Sequence, residues 1–200
     1  MRGTMRFIGI CNRAICLFCT VTPLVIFCLC GGEYTLPILL AVSVHEFAHL
    51  AALWICHGKI RRFRPAPFGF CIAYDAWSLS PLSECIVVAV GAVANFCFAL
   101  LFFVLGLSTV ALVNLLIGMM NLLPFLPLDG GRLLYIGIAY AATPFHAARA
   151  VRIVTHVCGF LLFLPASYLL LTGSAGVYPL LFSLYIFSAN AAEMTQSEKR

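Results

Sequence analysis

Three ionisable side chains fall within five residues of an apolar run, in His45-Glu46-Phe47-Ala48-His49. On a helix, residues four apart share a face and stand about 6 Å apart along the axis. Two imidazoles so placed can offer nitrogens to one tetrahedral metal ion. Glu46, next to His45, can accept a proton from a water held there. This is the H-E-x-x-H spacing of zinc hydrolases. A purely structural polar patch explains it poorly, because ionisable groups in an apolar span cost about 2.5–3.5 kcal/mol each. A divalent cation is the natural compensation for three of them.

A catalytic zinc takes three protein ligands and keeps one position open, so a third ligand must come from elsewhere. In or near the apolar runs the choices are Glu33, Asp75, Glu84, Asp129, His57 and His156. His57 follows His49 by eight residues, about 12 Å along the same helix, too far to share an ion. Asp129 stands in Asn121-Leu-Leu-Pro124-Phe-Leu-Pro127-Leu-Asp129-Gly130-Gly131. Prolines and a glycine pair break a helix, and irregular backbone at membrane depth survives only where protein or water covers it. A span broken here could carry Asp129 to the histidines, with His156 open as the alternative. Asn121, on the same segment, has an amide able to hold substrate backbone or a developing oxyanion.

These residues must be positioned by a chain that is 63% hydrophobic and only 10% charged over 200 residues, with mean hydropathy +1.06. That composition implies an all-α membrane protein and leaves almost nothing for a soluble domain. About 20 apolar residues cross a bilayer. Six runs qualify: Phe7–Cys30, Tyr34–Cys56, Cys85–Leu107, Ser108–Leu128, Ile153–Leu171 and Val177–Ala192. The first reads as a retained anchor, with no small-residue cleavage site near Cys28–Gly32. One domain, residues 1–200, is expected, with no appended soluble regulatory domain. Between the second and third spans, Phe68, Phe70, Ile72 and Tyr74 alternate at period two. They imply a re-entrant or interfacial β-hairpin whose edge could hold an extended substrate by strand addition. His146, Arg149 and Arg152 suit an interfacial helix.

All twelve Lys and Arg residues fall on one side of this arrangement, among them Lys59, Arg61, Arg62 and Arg64 after span two and Lys199 and Arg200 at the end. The loops Gly31–Thr35, Gly106–Thr109 and Thr172–Gly176 carry none. The positive-inside rule then puts both termini in the cytosol and Glu33 outside. The net charge of +5 is a topological signal and implies no nucleic-acid partner. The ten cysteines, a C-x-x-C at Cys16 and Cys19 included, lie in or beside apolar runs and read as small hydrophobes. Asn95 and Asn114, amides inside spans, read as glue between helices.

The pair His45-Glu46-x-x-His49 and Asn121-x-x-Pro124-x-x-x-x-Asp129-Gly130 resembles the signature of the site-2 protease (M50) family of intramembrane zinc metalloproteases. The tract from Asn121 to Leu134, and a basic loop at Lys59–Arg62 before Pro67-Phe68-Gly69, are similar to its stage IV sporulation protease branch. The resemblance implies six spans in a bacterial cell membrane, that of the forespore included. It implies one Zn2+ per chain, held by His45, His49 and Asp129, with Glu46 as general base. It also implies a membrane-associated protein substrate such as a sigma-factor precursor, and membrane proteins that inhibit or activate the enzyme. The family's Gly-Pro-x-x-Asn element is present as Gly91-Ala92-Val93-Ala94-Asn95, with alanine for proline.

Two other functions are weighed on the residues. An intramembrane metal-ion transporter would use the same His and Asp ligands but gives Glu46 no task. A histidine-box di-iron oxidase needs more than the five histidines present.

Overall fold

A computed structural model describes residues 15–17, 34–58, 60–66, 69–74, 78–125 and 128–173. The chain divides into two compact units, Cys11–Leu122, and Met1–Ile10 with Leu123–Arg200.

In the unit Cys11–Leu122 the elements run β1 (Ile15–Leu17), α1 (Thr35–Ile55), β2 (Ile60–Ala66), β3 (Gly69–Tyr74), α2 (Pro81–Val104) and α3 (Ser108–Asn121). Helix α1 packs on both α2 and α3, and those two pack on each other. The facing positions are small or compact: Ala41, Ala52 and Leu53 on α1, Val87, Val88, Ala92 and Ala99 on α2, Ala111 on α3. Small contact residues let backbones approach where lipid gives no hydrophobic push. Helix α2 starts on a Ser80 cap, with Ser83 N donating to Ser80 Oγ at 3.1 Å and Pro81 at the first helical position,. It ends where Gly106, at φ +76°, takes the left-handed position and Leu107 N reaches back to Phe102 O,. The chain turns there straight into α3.

The strands form an antiparallel sheet in the order β1-β3-β2. Pairing runs from Ile60 with Tyr74 to Ala66 with Gly69, irregular between Ile60 and Arg62, and from Ile15 with Ile72 to Leu17 with Phe70. Pro65, which lacks an N–H, sits on β2, an edge strand among the described residues, where a missing donor is tolerated,.

In the other unit, α4 (Asp129–Ala141) packs on α5 (Pro144–Leu171). The buried stripe of α5 is Ala147, Val151, Thr155 and Gly159, one turn apart, and then Ala166.

Thr35–Ile55, Pro81–Val104 and Pro144–Leu171 are long and apolar enough to cross a membrane. The polarity of the described helices is inverted relative to a water-soluble core. His45, Glu46, His49, Asn95 and Asn114 are buried, while Leu36, Phe47, Trp54, Phe103 and Leu171 are exposed. Only an apolar solvent rewards that distribution, so this is a membrane protein.

Three span expectations change. Of Phe7–Cys30 the structure describes residues 15–17 alone, and they are a strand; a short apolar stretch suits either state until its partner is known, and here β3 is the partner,. The run Ser108–Leu128 is helical only to Asn121, because Pro124 and the restricted residue before it cannot continue the helix. Ile153–Leu171 is the latter part of a longer helix from Pro144, so His146, Arg149 and Arg152 belong to α5 and form no separate interfacial helix. The rest of Phe7–Cys30, and all of Val177–Ala192, Glu33 and Asp75, lie outside the described residues.

Candidate metal centre

His45, Glu46 and His49 belong to the buried stripe of α1, with Ala41 one turn before and Ala52 and Leu53 one turn after. The two imidazoles meet edge to face with centroids 4.6 Å apart, and their Nε2 atoms are 3.1 Å apart. Both rings are held from the other side by α2. His49 Nδ1 lies 2.7 Å from Val87 O, and His45 Nδ1 lies 2.7 Å from Asn95 Oδ1.

Those contacts fix the tautomers. A backbone carbonyl can only accept, so His49 Nδ1 carries the proton and donates. The Asn95 amide donates through Nδ2 to Ala41 O at 2.9 Å, which turns its oxygen toward His45; His45 Nδ1 is therefore also a donor. In the neutral rings both Nε2 atoms then present lone pairs toward each other. Two lone pairs at 3.1 Å repel unless a cation lies between them, and two nitrogens about 2.0–2.1 Å from a tetrahedral zinc stand about 3.3 Å apart.

Room for the rings comes from Gly91, on the same face of α2 as Val87 and Asn95. A Cβ there would lie 2.5 Å from His49 Nε2 and 2.7 Å from His45 Cε1. No side chain larger than hydrogen fits without displacing an imidazole.

Asp129 is the first residue of α4, just after the proline-broken segment. It is the carboxylate that the family resemblance names as third ligand beside His45 and His49. Two imidazole nitrogens and a carboxylate oxygen are a donor set that suits Zn2+ and leaves a fourth position open.

The remaining sequence candidates are placed as follows. Asn121, half-buried at the end of α3, donates one amide N–H to Ile117 O at 3.0 Å. His57, at φ +54°, takes the left-handed position that terminates α1, with Gly58 N bonded to Leu53 O at 2.8 Å. His156 is exposed on α5, its Nδ1 2.8 Å from Arg152 O. Glu84 is buried in the first turn of α2, two turns before Gly91 on the same face. Sequence reasoning gave Asn95 the role of helix glue and noted Gly91 and Asn95 as a family element without assigning it a task, and it missed Val87 and the space at Gly91. The one available signal was Gly91 and Asn95 themselves, one turn apart on a span able to face the histidines.

Comparison with known proteins gives three similarities. The sequence profile described as Peptidase family M50 matches residues 107–165. Stage IV sporulation protein FB of Bacillus subtilis (strain 168) is 30% identical over 138 residues, 64% of this chain and 47% of that protein. The chain thus spans about half the length of that relative. The site-2 protease from Methanocaldococcus jannaschii shares the fold, with a TM-score of 0.65 at 18% identity over 86% of this chain and 84% of that one. The chain is thus similar to peptidase family M50 over residues 107–165 and to stage IV sporulation protein FB over about half of that relative's length, and it has the fold of a site-2 protease.

Proposed function

We propose that this chain is an intramembrane zinc metalloendopeptidase that cuts a membrane-associated precursor protein, a sigma-factor precursor of sporulation being the substrate the family resemblance implies. The observation that carries the reading is the pair of imidazoles whose Nδ1 atoms are both tied to α2, so that both Nε2 atoms face each other 3.1 Å apart and are left to bind a metal.

His45, His49 and Asp129 would hold one zinc ion. When bound, zinc acidifies a water and polarises the scissile carbonyl. Glu46 takes the proton of the attacking water and returns it to the leaving amine. Asn121, with one amide N–H committed to Ile117 O, has its second for a substrate carbonyl or the oxyanion. A substrate must be extended to be cut. Among the described residues no strand pairs the outer edge of β2, so that edge, at the membrane interface, is proposed to receive the peptide as an added strand. A metal transporter would use the same three ligands but would leave Glu46 without work.

Purified protein in detergent should cleave a candidate precursor, and Glu46→Gln should abolish cleavage while zinc stays near one per chain. Full proteolysis by the Gln variant would sink the mechanism. The proposed topology has six spans in a bacterial membrane, with both termini cytosolic. Reporter fusions should then place Lys59–Arg64 and Lys199 inside; an external C-terminus would overturn the span count.

A further inference from the structure

The hydrogen bonds behind His45 continue beyond Asn95. The second Asn95 Nδ2–H donates to Asn114 Oδ1 at 3.1 Å, and Asn114 Nδ2 donates to Val110 O at 2.9 Å. Both amides are fully buried. They meet because α3 approaches α2 closely at Gly118, one turn beyond Asn114, where a Cβ would stand 2.8 Å from Phe96 Cε1 and 3.2 Å from Asn95 Cβ.

Each end of this chain is a group that can only accept, Val110 O at one end and Ala41 O beside Asn95. With those fixed, every donor has one direction: Asn114 to Val110 O, Asn95 to Asn114 and Ala41 O, His45 to Asn95. Simple helix glue would need one bond between the helices. Here the bonds run in series and end on an imidazole of the metal centre.

We propose that Asn95 and Asn114 are positioning residues that act as a relay. Asn114, on α3, fixes the orientation of the Asn95 amide, which fixes the tautomer and ring rotation of His45 and so presents its Nε2 to zinc. Neither amide touches the reacting atoms. The consequence for zinc rests on the metalloprotease reading, whereas the tautomer of His45 does not.

The test uses the full chain in micelles with 15N-labelled histidine, His45 being assigned by its loss in His45→Asn. Zinc-free wild type should show His45 protonated on Nδ1, and Asn114→Leu should show a mixture of tautomers. Zinc affinity, read against a competing chelator, should fall about 10–100-fold in Asn95→Leu and about tenfold in Asn114→Leu, the range seen for partners behind metal-binding histidines. Asn114→Asp should retain wild-type affinity and tautomer, because the neutral acid is isosteric, accepts from Asn95 and donates to Val110 O. If the Leu variant does not fold, Asn114→Ala asks the same question. An Asn114 variant with wild-type tautomer and wild-type zinc affinity would overturn the relay. Wild type that binds no zinc would instead overturn the metalloprotease reading, with the nitrogen shifts still deciding the relay.

Discussion

Helix α5 and the α1–α2–α3 bundle are both apolar helical structures that contain polar side chains, but they use them differently. On α5, Thr155, Ser167 and Thr172 donate to carbonyls one turn back at 2.8, 2.8 and 3.0 Å, and His156 Nδ1 does the same to Arg152 O. Such bonds follow the helix wherever it goes and specify no neighbour. In the bundle, bonds from His45, His49 and Asn95 cross between helices, joining residues 50, 38 and 54 positions apart. A polar group in a span is informative when its bond leaves the helix. By that criterion the candidate site belongs to the bundle, whereas the bond from Nδ1 of His156, an open alternative for the third ligand, stays within its own helix.

The sharpest test of this contrast sets Asp129 against His156. Asp129→Asn should lose most cleavage activity and weaken zinc binding, and in a zinc-loaded structure the wild-type carboxylate oxygen should stand about 2.0–2.2 Å from the metal. Retained zinc affinity in Asp129→Asn, with loss in His156→Ala, would transfer the third ligand to α5 and invert the comparison.

A smaller effect is expected at Gly91. Gly91→Ala should lower zinc affinity by about tenfold or more while leaving the protein folded, since the new methyl displaces an imidazole already held from behind,. Unchanged affinity would mean that α1 and α2 separate freely, and that the close approach has no bearing on the centre.

The least effect belongs to α5. Ser167→Ala, which removes only a donor to its own helix, should leave zinc content at wild type and change stability by less than about 1 kcal/mol. A loss of zinc there would show that local bonding in α5 does constrain the centre.

Some of this was legible in the sequence because it is local. The i, i+4 spacing of His45 and His49 is a property of any helix, and Pro124 and Pro127 announce a break ahead of Asp129 wherever the segment lies. The Thr143-Pro144 pair is also a local start signal, with His146 N reaching Thr143 Oγ1 at 3.3 Å. It went unused, because His146, Arg149 and Arg152 read as a separate interfacial helix. Asn95 was not legible in this way. A lone amide in a span looks the same whether its partner is a neighbouring backbone or a ligand imidazole, and only the packing of α2 on α1 distinguishes them. The same limit applies to Ile15–Leu17, whose strand state depends on β3, more than fifty residues later.

The shortness of α3 bears on the surrounding lipid. Fourteen residues make a helix about 21 Å long, against a hydrocarbon layer about 30 Å thick. Where a short helix meets a thicker bilayer the lipid thins around it, at a fraction of a kcal/mol per ångström. Lipid beside α3 is then thinner than beside the longer α1 and α2, and water or an unwound peptide crossing there meets a shorter apolar path.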